Sequence, residues 1–218
     1  LKKNFSQKPI AILENSQAVT AYSLSKVKEE FIDLGCEYIL IGDLENISVD
    51  VYNNLGNEVF LKNINGIITK NFCNDKINFV ENLDTLNFPA WEDFPLENYW
   101  MLGYSHGPLS SKKYLPILSS RGCPYPCNFC VIPKTNERRW RSRSPKNVVD
   151  ELEYFIKKFD VKEFHFEDLN STVNDNRTKE LCNLIIKRNI NIKWKIVAGT
   201  KVESIKNEDT VKLLKDSG

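Results

Sequence analysis

The chain has 218 residues, with 30 Lys and Arg against 29 Asp and Glu, for a formal net charge of +1. This balance excludes the broad positive field of proteins that bind nucleic acids through charge alone. No apolar run reaches the ~20 residues that span a bilayer, and Leu1–Phe5 lacks the apolar region of a secretory signal. We therefore expect a cytoplasmic protein without a membrane span. Both ends look cut, and we interpret the chain as a fragment of a longer protein.

The first 72 residues have the pattern of an α/β domain. Apolar runs at Ile10–Leu13 and Tyr38–Ile41 predict strands, and a weaker strand is predicted at Gly66–Thr69. Between the first two strands, apolar residues from Leu24 to Leu34 recur at helical spacing before Gly35. Strand–helix–strand order predicts a doubly wound sheet, or part of one.

Residues 73–113 lack a regular pattern, because Phe88-Pro89 and Phe94-Pro95 interrupt any helix or strand. We interpret this segment as an ordered linker between two domains. Its aromatic side chains are expected to pack it onto its neighbours: Trp91, Tyr99, Trp100 and Tyr104.

Residues 114–218 repeat a strand–helix order three times. Successive β-α units predict a parallel sheet or barrel, and three units supply only its N-terminal half. The predicted strands are Tyr114–Leu118, Val161–Phe166 and Ile192–Ile196. The predicted helices begin at Ser144-Pro145 and at Asn174 or Asp175, and a third contains Val211 and Leu214.

Three cysteines, Cys123, Cys127 and Cys130, follow the first of these strands, where α/β proteins place their ligands. Thiolates bind iron–sulfur clusters or zinc. Three thiolates on a cubane leave one iron open, whereas structural zinc usually has four ligands. The alternative is a zinc site completed by Cys182 or His165. The scattered Cys36, Cys73 and Cys182 are expected to be small buried side chains.

The spacing Cys-x3-Cys-x2-Cys, with Phe129 before the last cysteine, is similar to the signature of the radical S-adenosylmethionine (SAM) superfamily. The run Arg121–Cys130, the segment Arg141–Pro145 and the strand end Phe164–Asp168 resemble radical SAM proteins with a cobalamin-binding domain. The resemblance implies a [4Fe-4S] cluster that reductively cleaves SAM to a 5′-deoxyadenosyl radical. It also implies that Phe129 lies against the adenine.

The same resemblance implies that Glu167 or Asp168 contacts the SAM amino group, with the choice between them open. It implies a partial radical SAM (β/α) barrel over 114–218, preceded over 1–72 by part of a Rossmann-like, cobalamin-binding-type domain. Cobalamin is a possible cofactor only through this architecture. The relatives' cobalt-ligating motif is absent, and Gly42–Glu45 departs from their turn.

The implied activity is methyl transfer to an unactivated carbon of a small-molecule, lipid or natural-product substrate. An electron donor such as flavodoxin or ferredoxin would be a partner. A methylthiotransferase acting on transfer RNA or protein is an alternative, and a non-enzymatic zinc-binding module is another.

Four further features have alternative interpretations. The basic stretch Arg138–Arg143 is expected to bind carboxylates rather than nucleic acid. His165 alternates with Phe164 and Phe166, and we expect it to pack outward against a helix rather than point into a barrel. We expect His106 to be structural in a turn, and Trp194 to lie in the core.

Overall fold

The computed structural model describes residues 8–14 and 24–218. The expectation that Leu1–Phe5 carries no secretory signal concerns residues outside these ranges. The chain divides into two compact units, one of residues 1–81 and 122–139 and the other of residues 82–121 and 140–218. The cysteine loop therefore groups with the first unit. Most of the segment interpreted as a linker belongs to the second unit. Within the described ranges, no helix has the length and apolar character needed to cross a membrane.

The first unit contains a four-stranded sheet in the order β1-β2-β3-β4. Strands β1 and β2 are parallel, but β3 runs antiparallel to β2, and β4 antiparallel to β3. The sheet is therefore mixed, unlike the doubly wound sheet that its strand–helix order predicted. Its elements are β1 (Ala11–Leu13), α1 (Lys28–Asp33), β2 (Tyr38–Leu40), α2 (Leu44–Asn53), α3 (Glu58–Leu61), β3 (Ile67–Ile68), β4 (Cys73–Asn74) and α5 (Ile132–Thr135).

The carboxyl end of β2 is closed by a chain segment of the same unit. Gly42 has φ +97°, and a Cβ there would lie 2.2 Å from the carbonyl oxygen of Asn78. The Asp43 carboxylate accepts a hydrogen bond from the Val80 amide at 2.7 Å, which fixes this segment over the strand end. Only glycine tolerates both this backbone conformation and this close approach.

The second unit contains a three-stranded parallel sheet in the order β5-β8-β9, and a two-stranded antiparallel ribbon of β6 and β7. The predicted strands and helices of this region are all present, with bounds that differ by at most a few residues. Its elements are α4 (Leu96–Leu102), β5 (Tyr114–Ile117), β6 (Ser120–Arg121), β7 (Arg141–Ser142), α6 (Pro145–Phe159), β8 (Glu163–Phe166), α7 (Asp175–Lys187), β9 (Lys193–Ile196) and α8 (Glu208–Asp216).

Helix α6 begins where its sequence predicts. The Ser144 hydroxyl accepts a hydrogen bond from the Asn147 amide at 3.1 Å, and Pro145 occupies the first turn, where its missing N–H costs nothing. Apolar side chains at helical spacing, such as Leu152 and Phe155, are fully buried against the sheet. Burial of each such side chain stabilises the fold by about 2 kcal/mol. Helix packing therefore covers one face of the sheet.

Part of the presumed linker is helical. Helix α4 occupies residues that Pro95 was expected to keep irregular, because proline is tolerated at the position preceding a helix. Trp100 is buried and donates a hydrogen bond to the Tyr114 carbonyl at 2.8 Å, and Trp91 packs on the same core, as expected. Tyr99 and Tyr104 are exposed, so they do not share this packing role.

Candidate functional site

The cysteine loop in the first unit is closed at its base by backbone contacts. Gly122 has φ +79°, and a Cβ there would lie 1.9 Å from the Arg139 carbonyl oxygen. Within the loop, the Cys130 amide donates to the Cys127 carbonyl at 3.1 Å, which turns the chain between these cysteines. The loop base therefore needs glycine, and a larger residue at Gly122 would separate its two ends.

The three cysteine thiols are partly exposed, and the adjacent Phe129 ring is 93% exposed. Among the described residues, no three Cys, His, Asp or Glu side chains are gathered as a metal site. The donor set nevertheless fits an iron–sulfur cluster in chemistry, because it supplies three thiolates on one short loop. Metal sites of this kind commonly assemble only as the metal binds.

Asp168 lies at the carboxyl end of β8 and holds the residues that lead into the cysteine loop. Its carboxylate accepts hydrogen bonds from the Ser119 amide at 3.1 Å, the Ser119 hydroxyl at 2.8 Å and the Ser120 hydroxyl. The side chain is fully buried, and burial raises its pKa against the lowering effect of these hydrogen bonds. Asp168 therefore fixes the chain three residues before Gly122.

Arg177, on α7, reinforces the same region and was not identified from the sequence. Its guanidinium donates to the Ser119 carbonyl at 2.8 Å and to the Arg143 carbonyl at 2.9 Å. Arg143 in turn forms an ion pair with the buried Glu151. Because a buried guanidinium satisfies several carbonyls at once, these contacts tie α7 to the residues next to both strands of the ribbon.

The face of β8 that points away from the helices carries the ionisable side chains of Glu163 and His165. By alternation, Glu167, directly after the strand, continues the same face. Phe164 and Phe166 alternate with them and pack into the core with α6 and α7. His165 therefore does not pack outward against a helix, and that expectation was wrong. Pattern alone could not decide, because both faces of β8 are buried.

Glu163 is the centre of a buried polar network on this face. Its Oε2 atom accepts from the Ser110 amide at 2.7 Å, the Ser110 hydroxyl at 2.6 Å and the Ser111 amide at 2.9 Å. Its Oε1 atom lies 2.9 Å from His165 Nε2 and 3.2 Å from Lys195 Nζ. Burial opposes ionisation, but these donors outweigh it and lower the pKa of Glu163 to about 2.

This pKa predicts a pH-dependent loss of stability. Its folded-state pKa lies below the unfolded value of about 4.3, so ionised Glu163 contributes about 3 kcal/mol at neutral pH that is lost between about pH 4.5 and pH 2. We expect Glu163→Gln to lower the unfolding free energy at pH 7 and to differ little from the unmodified chain near pH 2. Urea unfolding at several pH values measures this. Glu208→Gln, at an exposed position, is the control, and a Glu163→Gln deficit independent of pH would contradict the assignment.

Glu167 follows β8 and extends the sheet, since its amide donates to the Ile117 carbonyl at 3.0 Å. Its side chain lines a cavity of about 320 Å³ together with His106, Tyr114 and His165. Burial, with Asp168 nearby, raises the pKa of Glu167. His106, which was expected to be structural in a turn, also lines this cavity.

Other predicted side chains have simpler environments. Cys36 and Cys182 are buried, as expected, but Cys73 is exposed on the two-residue strand β4, with its sulfur 3.3 Å from Lys28 Nζ. Trp194 packs on Phe166 with ring centroids 4.7 Å apart, which confirms its core position.

Two arginines of the basic stretch pair with carboxylates. Arg139 forms a two-pronged contact with Glu81 within the first unit, and Arg143 pairs with Glu151 within the second. These pairs support the interpretation of the stretch as carboxylate-binding.

The predicted site residues fall into two groups. Phe129 and the three cysteines belong to the first unit, and Glu167 and Asp168 to the second. Sequence reasoning missed Glu163, although its alternation with His165 and Glu167 along β8 was a signal that it shares their face.

The second unit holds a parallel α/β sheet, and the chain continues from its first strand into a loop whose three cysteines suit an iron–sulfur cluster in chemistry. Residues 117–218 match the profile of the radical SAM superfamily. This match, over just under half of the chain, supports the resemblance to the radical SAM superfamily.

Two curated proteins are similar to part of this chain. An uncharacterized methyltransferase, PH0819, of Pyrococcus horikoshii is 28% identical over 64% of this chain and 28% of its own length. An anaerobic magnesium-protoporphyrin IX monomethyl ester cyclase of Rubrivivax gelatinosus is 33% identical over 64% of this chain and 23% of its own. The chain thus spans about a quarter of the length of these relatives.

Among solved structures, the radical SAM methyltransferase TsrM of Kitasatospora setae, with tryptophan substrate and a SAM analogue bound, has a similar fold. The TM-score is 0.66 at 18% identity, over 89% of this chain and 38% of TsrM. A second TsrM structure, with cobalamin and a [4Fe-4S] cluster bound, gives a TM-score of 0.61 at 16% identity, over 99% of this chain and 48% of TsrM. At this level of identity the likeness shows a shared α/β radical SAM fold.

Proposed function

We propose that the chain is the cluster-binding part of a radical SAM enzyme that transfers a methyl group to an unactivated carbon. The observation that carries the proposal is the loop with Cys123, Cys127 and Cys130 inside a radical SAM domain. A [4Fe-4S] cluster held there would supply the electron that cleaves SAM to a 5′-deoxyadenosyl radical. Methyltransferases among the relatives, including a cytidylyl-2-hydroxyethylphosphonate methyltransferase of Streptomyces wedmorensis, support the reaction class.

Glu167 is the better candidate for the SAM amino group. Asp168 is fully buried and its oxygens already accept three hydrogen bonds from Ser119 and Ser120. Glu167 instead borders a cavity, where an ammonium group could reach its carboxylate. A charged donor would also offset the burial that raises the pKa of Glu167. We assign contact with SAM to Glu167, and to Asp168 the positioning of Ser119 and Ser120.

Phe129 is suited to cover the adenine ring. An aromatic ring that is 93% exposed gains free energy when a flat partner removes it from water, and base–aromatic stacking contributes about 1–3 kcal/mol. Its place directly before Cys130 keeps such a partner close to the cluster ligands. This assignment rests on exposure and sequence position together.

Cobalamin is not required by the proposal. In the first unit, the carboxyl end of β2, where open α/β sheets bind ligands, is closed by Asn78 against Gly42. Among the described residues, the Asn78 backbone thus covers the strand end. The cofactors on which the proposal depends are the [4Fe-4S] cluster and SAM.

Anaerobic reconstitution tests the proposal. The chain is incubated with iron and sulfide, reduced, and its electron paramagnetic resonance (EPR) spectrum recorded with and without SAM. We expect a cluster whose signal changes on SAM addition, because SAM would occupy the open iron. Zinc without sulfide would favour a zinc-binding module instead, and a cluster signal indifferent to SAM would also contradict the proposal.

Glu167→Gln is expected to weaken SAM binding roughly 10- to 100-fold, because one charge-assisted hydrogen bond, worth about 1.5–3 kcal/mol, is lost. Titration of the reconstituted cluster with SAM, followed by the EPR signal, measures the change. Glu208→Gln, exposed in the first turn of α8, serves as the matched control. Equal SAM affinity in both variants would remove Glu167 from the site.

A further inference from the structure

The cavity lined by His165 and Glu167, on the face of β8 that points away from the helices, has a lining that suits a particular class of ligand. Four of its lining side chains carry flat rings: Tyr104, His106, Tyr114 and His165. Its volume of about 320 Å³ is at the lower end of the range for small-molecule sites. Aromatic walls bind flat unsaturated rings through offset or edge-on contacts.

His165 lines the cavity, and one of its two ring nitrogens is already engaged by a neighbouring side chain. Its Nε2 atom lies 2.9 Å from Glu163 Oε1, and the Tyr114 ring stacks on the imidazole with centroids 4.8 Å apart. Among the described residues, Nδ1 has no hydrogen-bond partner. The histidine is therefore held on one edge and one face, and Nδ1 remains for a bound molecule.

The partners of Glu163 fix the hydrogen on this imidazole. Two amides, a hydroxyl and the Lys195 ammonium donate to Glu163, so its carboxylate is an ionised acceptor. An acceptor facing Nε2 requires the hydrogen on Nε2. Burial lowers the pKa of His165, with Lys195 and His106 acting in the same direction and Glu163 against it. The neutral ring then leaves Nδ1 as a hydrogen-bond acceptor.

We propose that this cavity is a subsite for a flat heteroaromatic ring bearing an N–H or O–H group, and that Nδ1 of His165 accepts that hydrogen bond. Glu163 is a positioning residue, because it orients the imidazole without touching the ligand. The inference deepens the proposed function, on which it rests for its catalytic meaning, by naming the class of methyl acceptor. Ring binding itself requires neither the cluster nor SAM.

The chain contains only two histidines, which makes the test direct. Nitrogen-15 labelling of histidine reports the hydrogen-bearing nitrogen of each ring by NMR. We expect His165 to have its hydrogen on Nε2, and millimolar indole to shift the Nδ1 signal saturably. N-methylindole, which lacks the N–H, is expected to bind at least about tenfold more weakly. A hydrogen on Nδ1 in the ligand-free chain, or equal affinities for the two probes, would overturn the proposal.

Two variants distinguish loss of indole binding at this subsite from loss of folding and from loss of the cluster. His165→Phe keeps the ring that stacks on Tyr114 and leaves Glu163 its donors from Ser110, Ser111 and Lys195, so we expect folding with at least about tenfold weaker indole binding. Cys127→Ala is expected to bind indole normally. Undiminished indole binding by His165→Phe would overturn the subsite, whereas failure of cluster assembly in the unmodified chain would contradict only the proposed function.

Discussion

A chain carrying Cys127→Ala is expected to assemble no [4Fe-4S] cluster after anaerobic reconstitution. Two thiolates, those of Cys123 and Cys130, would remain, and they can anchor only two of the four irons of a cubane, which leaves two irons without a protein ligand. Iron and sulfide content per chain, together with the reduced EPR signal, measures the loss. We expect the same result for alanine at either of the other two positions of the loop.

Controls for this experiment come from the remaining cysteines. Cys73→Ser changes an exposed thiol on β4, and Cys182→Ala changes a thiol that is fully buried in α7. Burial raises the pKa of the Cys182 thiol, which opposes the thiolate that a metal needs. Both variants should retain the cluster. A cluster that survives Cys127→Ala, or is lost with Cys182→Ala in a folded chain, would refute the ligand assignment.

Asp168→Ala is expected to have the largest effect on stability of any single change at the site. It leaves the Ser119 amide and the hydroxyls of Ser119 and Ser120 without their acceptor in a fully buried position. Stranding several buried donors costs about 3–5 kcal/mol. Urea unfolding measures the loss, and amide hydrogen exchange at Ser119 should accelerate with it.

A graded control identifies the cause of this effect. Ser120→Ala removes one donor and keeps the carboxylate, so it should cost only about 1 kcal/mol. Asp209→Ala, at an exposed position in the first turn of α8, should change stability by less than about 0.5 kcal/mol. If Asp168→Ala were no worse than Ser120→Ala, the carboxylate would not be the anchor of Ser119 and Ser120.

The second unit was predictable because its signals are local. The Ser144 cap, the first-turn Pro145 and the apolar spacing of α6 lie within a few residues of one another, and the structure confirms the helix that they predict. Alternation in β8 likewise placed Phe164 and Phe166 on one face. The cysteine loop was identifiable for the same reason, since its spacing is contained in eight residues.

Other features depend on contacts between distant residues and left no local signal. The antiparallel direction of β3 is set by its pairing with β2 and β4. The residues Ile67–Ile68 alone predict a buried segment but not the direction of the strand. The face occupied by His165 depends on which of two buried sides receives the helices. Glu163 accepts hydrogen bonds from Ser110 and Ser111, more than fifty residues earlier in the chain. No sequence pattern around Glu163 predicts these contacts.

Along β8, a polar side chain that borders open space lies between two side chains that carry buried hydrogen bonds. At the amino end, one carboxylate joins a loop, a histidine and a lysine from three parts of the chain. At the carboxyl end, Glu167 borders open space. Changes at Glu167 itself should therefore cost little folding free energy, because the contacts of Glu163 and Asp168 hold the strand on either side of it. Such a scaffold can acquire new ligand preferences while its framework stays the same.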